Sequence, residues 1–78
     1  MPVIKLFGAE WCATCKMIRP LLDRVGTVEY IDVDEDVDQT AKFGVRNLPT
    51  YINMDNDERG SGPVKNLAEL KQVLGIGN

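Results

Sequence analysis

The chain has 78 residues, enough for one domain with a modest core, and its apolar fraction (44%) and charged fraction (27%) are ordinary. A net charge of −3 argues against non-specific nucleic-acid binding, which needs a basic face. No apolar run is long enough to cross a bilayer, nothing resembles a signal peptide, and two cysteines are too few for a disulfide scaffold. A cytoplasmic, monomeric protein with a cycling dithiol is the expectation, with residues 1–78 forming a single domain.

Val3 to Phe7 is apolar except for Lys5, the pattern of an interior strand covered on both faces. Gly8-Ala9-Glu10-Trp11 then turns the chain onto a helix. Ile18, Leu21, Leu22 and Val25 repeat at helical spacing, which predicts that helix from about Ala13 to Val25. Both cysteines stand at its start, as Cys12-Ala13-Thr14-Cys15. A strand, a tight turn and a helix opening on C-x-x-C is a redox-motif context. The helix N-terminus offers unpaired N–H groups and the positive end of a dipole, which stabilise a thiolate. Cys12 sits at that terminus, and Cys15 lies one turn inside, close enough to close a disulfide. Cys12 is therefore read as the attacking sulfur and Cys15 as the resolving one. Two other readings stand beside this. Half of a zinc site would need carboxylates or a second chain, because the sequence has no histidine and no third cysteine. A purely structural disulfide across so short a loop would remove little chain entropy, on the order of 2 kcal/mol. Trp11 is expected both to cover the core and to shape a docking surface beside the cysteines. Pro20, inside the helix, predicts a kink at about Lys16 to Pro20, and Gly26 ends the helix.

Thr27 to Val33 reads as a second strand, with Val28, Tyr30, Ile31 and Val33 supplying its apolar faces. Strand, helix and strand in this order predict a parallel pair with a right-handed crossover. Asp32, Asp34, Glu35, Asp36 and Asp38 follow as an acidic run, read as a solvated surface, with a partner-steering patch as the alternative. Asp36 and Gln39 form a capping box for a short helix over about Val37 to Phe43, closed by Gly44. A third strand is expected over Thr50 to Met54, with Thr50, Ile52 and Met54 on one face and Tyr51 and Asn53 on the other. A weak fourth strand, from about Glu58 to Ser61, has to lie at a sheet edge because of its glycines and Pro63. Asn66 then caps a last helix, Leu67, Leu70, Val73 and Leu74 make its buried stripe, and Gly75 stops it.

Two stretches carry a family resemblance. Trp11-Cys12-Ala13-Thr14-Cys15-Lys16, with Pro20 and Leu21-Leu22 after it, resembles the thioredoxin active-site helix, W-C-G-P-C-K followed by a kinking proline. Phe43-Gly44-Val45-Arg46-Asn47-Leu48-Pro49-Thr50 resembles the thioredoxin segment that ends in a cis-proline facing the cysteines. The resemblance runs from about residue 3 to 74 in element order. It implies an α/β, minimal thioredoxin-like fold, β-α-β-α-β-β-α, with a central mixed four-stranded sheet flanked by helices. It also implies a thiol-disulfide oxidoreductase with no bound cofactor, whose working group is the Cys12-Cys15 disulfide. Substrate contacts are expected at Trp11, Ala13, Thr14, Leu48, Pro49 and Thr50, and Lys16 is expected to favour the Cys12 thiolate. A cis Leu48-Pro49 bond, as the family has it, would turn the Leu48 backbone toward Cys12 and let it pair with an extended substrate.

The sequence departs from the family in three places. The longer family members open with an extra strand and helix, whereas the sequence here starts at the strand leading to the cysteines, a length typical of glutaredoxins. Ala13-Thr14 replaces Gly-Pro. The family's buried aspartate, six residues before the first cysteine, aligns with Leu6, and its lysine partner aligns with Tyr30. Proton exchange at Cys15 is then expected to use water, a backbone group or the substrate. The partners implied are disulfide-containing proteins, with a thioredoxin-reductase-like flavoenzyme or glutathione as reductant. The Trp-Cys and Leu-Pro-Thr motifs lean to the first, and the length and Gly60-Ser61-Gly62 lean to the second. A non-catalytic redox-sensing or docking module and a chain-bridging iron–sulfur or zinc binder are the competing functions.

Overall fold

A computed structural model describes residues 1–77. The chain begins with strand β1 (Val3–Gly8), followed by helix α1 (Ala13–Val25) and strand β2 (Thr27–Asp32). Helix α2 (Val37–Lys42), strands β3 (Thr50–Asn53) and β4 (Arg59–Ser61), and helix α3 (Leu67–Val73) complete it. The elements pair into one four-stranded sheet in the order β2-β1-β3-β4. β1 and β2 are parallel, from Val3 opposite Thr27 to Gly8 opposite Asp32, while β1–β3 and β3–β4 are antiparallel. The mixed sheet and the edge position of β4 match the expectation.

Period-two alternation along β1 builds a separate core on each face of the sheet. Ile4 and Leu6 point toward α1 and α3, where they meet Ile18, Leu22, Val25, Leu70 and Leu74, with Tyr51 of β3 joining them. Phe7 points the other way and packs with Ile31 and Ile52, covered by Phe43 just beyond α2. Lys5 shares that second face. Its ammonium bonds Gln39 of α2, lies 3.2 Å from Glu29 and stands 5.1 Å from the centre of the Phe43 ring. The one charged residue of β1 is thus accommodated by its partners. β2 is mostly exposed, with Ile31 as its buried side chain, so it supplies less apolar surface than its composition suggests. It is an edge strand, paired on one side only, by β1. α1 passes through Pro20 as one element, with that proline on its exposed side.

The caps follow the sequence chemistry. Asp36 accepts the Gln39 N–H at 2.9 Å and Asn66 accepts the Glu69 N–H at 2.9 Å. The structure also shows what holds β3 and β4 beside α3. Asn53 is buried, and its Nδ2 donates to the Leu74 carbonyl at 2.9 Å. Asn56 donates to the same oxygen at 3.0 Å. Gly60 leaves room for its neighbours: a Cβ there would stand 2.5 Å from Val73 Cγ1 and 2.7 Å from the buried ring of Tyr51.

Gly60→Ala should therefore lower stability by about 1–3 kcal/mol, the usual cost of overpacking. The check is the midpoint of urea unfolding, with an unchanged slope. Gln39 holds the Asp36 carboxyl below its ordinary range through backbone and side-chain N–H bonds. A depressed carboxylate stabilises the fold above its unfolded pKa, and that contribution disappears as pH falls through the folded one. Asp36→Ala should thus lose stability at neutral pH and converge on the wild type in the most acidic part of a pH series of unfolding curves.

Candidate functional site

β1 runs into the site and stops at Gly8, which places the turn Ala9–Trp11 and the first residue of α1 at the carboxyl end of the sheet's inner strand. The turn is fixed by the Cys12 N–H, which donates to the Ala9 carbonyl at 3.1 Å. Cys12 is the N-cap of α1, with extended backbone, and its sulfur accepts the Cys15 N–H at 3.2 Å. An oxygen normally fills this role; here the sulfur satisfies one of the helix's unpaired donors. Cys12 and Cys15 form a disulfide with their Cα atoms 5.3 Å apart. The two cysteines are unequally placed, Cys12 being 8% exposed and Cys15 2%.

The remaining predicted residues divide into those around the pair and those beneath it. Ala9, Cys12 and Cys15 form a small apolar cluster, and Leu48 and Val33 pack against it. The Leu48–Pro49 bond is cis, as the resemblance implied. Pro49 is buried, and its carbonyl accepts the Gly62 N–H at 2.9 Å. Thr50 is 3% exposed, and its hydroxyl donates to the Asn47 carbonyl at 2.6 Å. The structure thus places Thr50 under the loop, where it holds the turn, and leaves the surface to Leu48. Ala13 and Lys16 are exposed on the first turn of α1. Thr14 borders a small apolar groove of about 130 Å³ with Met17, Ile18, Leu21, Pro63 and Val64. Trp11 departs from the expectation that it covers the core: it is 71% exposed, and its indole N–H donates to Asp34 Oδ2 at 3.0 Å.

Two participants escaped the sequence reading. Asp34 was assigned to a solvated acidic run, yet it anchors the tryptophan from 23 positions away. No local signal marks such a contact. Gly8 lies directly under Cys15: a Cβ there would stand 3.1 Å from both the Cβ and the Sγ of Cys15, and 3.2 Å from Tyr30 Cε1. The strand alternation that puts Leu6 toward α1 puts Gly8 and Tyr30 on the same side, so this neighbourhood was open to inference from the pleat.

Among the described residues, no group of three or more His, Cys, Asp and Glu side chains gathers to hold a metal ion, and none is long and apolar enough as a helix to cross a membrane.

The Thioredoxin family model matches residues 1–74. A thioredoxin of Rickettsia typhi is 35% identical across 95% of this chain and 76% of its own length. One of Pseudomonas aeruginosa is 43% identical across 65% of this chain and 54% of its own length. The chain spans 63% of the thioredoxin of Rickettsia conorii, at 33% identity. Among solved structures, a mutant thioredoxin from Halobacterium salinarum superposes with a TM-score of 0.76 at 30% identity, covering 92% of this chain and 70% of that one. The match to thioredoxins does not favour the glutaredoxin alternative that the short length suggested.

Asp34→Ala should release the indole. The steady-state fluorescence anisotropy of the single tryptophan is expected to fall, while the unfolding midpoint moves by no more than about 0.5 kcal/mol, as for an exposed surface change.

Proposed function

We propose, because this chain belongs to the thioredoxin family, that it reduces protein disulfides by dithiol exchange through Cys12 and Cys15. The observation that carries the reading is the sulfur of Cys12 standing as the N-cap of α1, against Leu48, with Cys15 one turn behind it. In the reduced protein the Cys12 thiolate attacks a target disulfide; the target S–S bond breaks, one target sulfur leaves as a thiolate, and the other stays bound to Cys12 in a mixed disulfide. The Cys15 thiolate then attacks Cys12 Sγ, the intermolecular bond breaks, and its electron pair leaves with the target sulfur. The backbone N–H at the helix start and the dipole behind it favour negative charge on Cys12. Lys16 adds a positive charge nearby, weakened by its exposure to solvent.

Trp11, Ala13, Thr14 and Leu48 form the surface that meets the substrate. Pro49 and Thr50 act from below by holding Leu48 in place. An extended segment of the target pairs with the Leu48 backbone as an added strand. The partner supplying electrons is a thioredoxin-reductase-like flavoenzyme, in line with the family match and the Trp-Cys motif. The protein works as a single-domain monomer, in the cytoplasm.

Insulin reduction tests this. Turnover is expected with NADPH and a thioredoxin reductase, and little with glutathione and its reductase; turnover with neither would point to a redox-sensing or docking module instead. Cys12→Ser should abolish exchange. Cys15→Ser should leave the first attack intact and accumulate a mixed disulfide, visible as a mass shift that dithiothreitol removes.

A further inference from the structure

Resolution of a mixed disulfide requires Cys15 to lose a proton, and the packing around its sulfur restricts where that proton goes. The inference rests on the exchange chemistry proposed above. Besides Cys12, the side chains clustered with Cys15 are Ala9, Val33 and Leu48, which carry no ionisable group. Gly8 lies beneath the sulfur, and Leu6, next on the same face of β1, is fully buried. Among the described residues, the buried polar or charged side chains are Thr50 and Asn53. Their donors are already taken by the carbonyls of Asn47 and Leu74. No buried acid or base therefore stands ready to take the proton.

One side is open. A notch of about 300 Å³ borders Cys15 and is lined by Ala9, Glu10, Lys16, Arg19 and Tyr30. The missing side chain of Gly8 helps make it, because the ring edge of Tyr30 and the sulfur of Cys15 flank the place a Cβ would fill. Arg19 sets its guanidinium 5.6 Å from the centre of the Tyr30 ring, at cation–π distance, with Asp23 3.9 Å from its Nε. Burial, then Asp32 and Glu10, raise the pKa of the Tyr30 phenol, so it stays neutral beside the arginine.

We infer that in the resolving step Cys15 gives its proton to solvent entering this notch, and that Arg19, held against Tyr30, is the positioning residue that favours the thiolate formed there. The charges facing the notch come from three places. Lys16 and Arg19 of α1 favour the thiolate. Glu10 of the turn opposes it, and Asp32 of β2 and Glu35 beyond it, which act on Tyr30 without lining the notch, oppose it from farther away. β1 contributes the uncharged Leu6 and Gly8, and the loop contributes the uncharged Leu48. The proton passes from Cys15 Sγ to water or a small base. The sulfur's electron pair then forms the bond to Cys12 Sγ, and the departing target thiolate takes a proton from solvent. The cysteine pair is oxidised by two electrons and the target disulfide is reduced by two, so no further reagent is needed.

Stopped-flow reaction of the reduced protein with one equivalent of a nitrothiobenzoate disulfide separates the two steps. Attack by Cys12 releases the first coloured thiolate and attack by Cys15 the second. At fixed ionic strength, the second phase should speed up as pH rises and Cys15 ionises. Arg19→Gln should shift the pH profile of that phase upward and slow it at neutral pH by up to about fivefold, the scale of an exposed charge pair. Tyr30→Leu should shift it the same way, Arg19→Lys should restore it, and Glu10→Gln should shift it downward. The first phase should be unchanged in all four variants. A second phase indifferent to pH would overturn the solvent route, and an unmoved profile in Arg19→Gln would overturn the role of Arg19. Absence of the first phase would count instead against the exchange chemistry itself.

Discussion

A single contact joins the fold to its chemistry: the backbone N–H of Cys15 donating to the sulfur of Cys12 at the first turn of α1. A helix start leaves donors without partners, and something with electron density has to sit there. Serine, threonine or aspartate usually does so. Here the acceptor is a sulfur of the disulfide. The cap and the proposed nucleophile are one atom, so whatever fixes α1 against the sheet also fixes the proposed reacting centre. That fixing is ordinary packing. Ile18, Leu22 and Val25 are held against Ile4 and Leu6, and α3 closes over the same cluster with Leu70 and Leu74.

The opposite wall of the site is held by hydrogen bonds as well as by apolar contact. Leu48 reaches the cysteine cluster because the chain behind it is fastened at several points. The Thr50 hydroxyl grips Asn47, the Pro49 carbonyl receives Gly62, and the Tyr51 hydroxyl donates to the Gly62 carbonyl at 3.1 Å. Asn53 then ties β3 to the end of α3. Among the described residues, no buried side-chain nitrogen or oxygen lacks a partner, as burial requires. These ties use the polar atoms of β3 and its flanks internally, and in the proposed reaction the Leu48 backbone and the exposed ring of Trp11 are what meets the substrate.

The acidic stretch after β2 shows how composition and role come apart. Read as a charge run, it is a solvated surface. In the fold, its members have separate tasks. Asp32 accepts the N–H of Asp34 at 2.9 Å and shapes the turn. Asp34 pins the tryptophan, and Asp36 starts α2. Short carboxylate side chains suit all three tasks, because they can bond backbone or side-chain donors close by.

Local chemistry in the sequence determined much of this protein. Hydrophobic spacing marked α1, the caps at Asp36 and Asn66 marked the starts of α2 and α3, and the short range of C-x-x-C placed both sulfurs in one helical turn. These are interactions between residues a few positions apart, and their geometry is set by helix pitch and turn chemistry alone. The tertiary structure decided the rest. It set the exposed position of Trp11, its bond to Asp34, the burial of Thr50, the edge position of β2, and the meeting of Gly8, Tyr30, Arg19 and Cys15. Such contacts join elements far apart in the chain. Each depends on sheet order and on which face a pleat presents, and those are settled only when the apolar faces of all the elements are buried together.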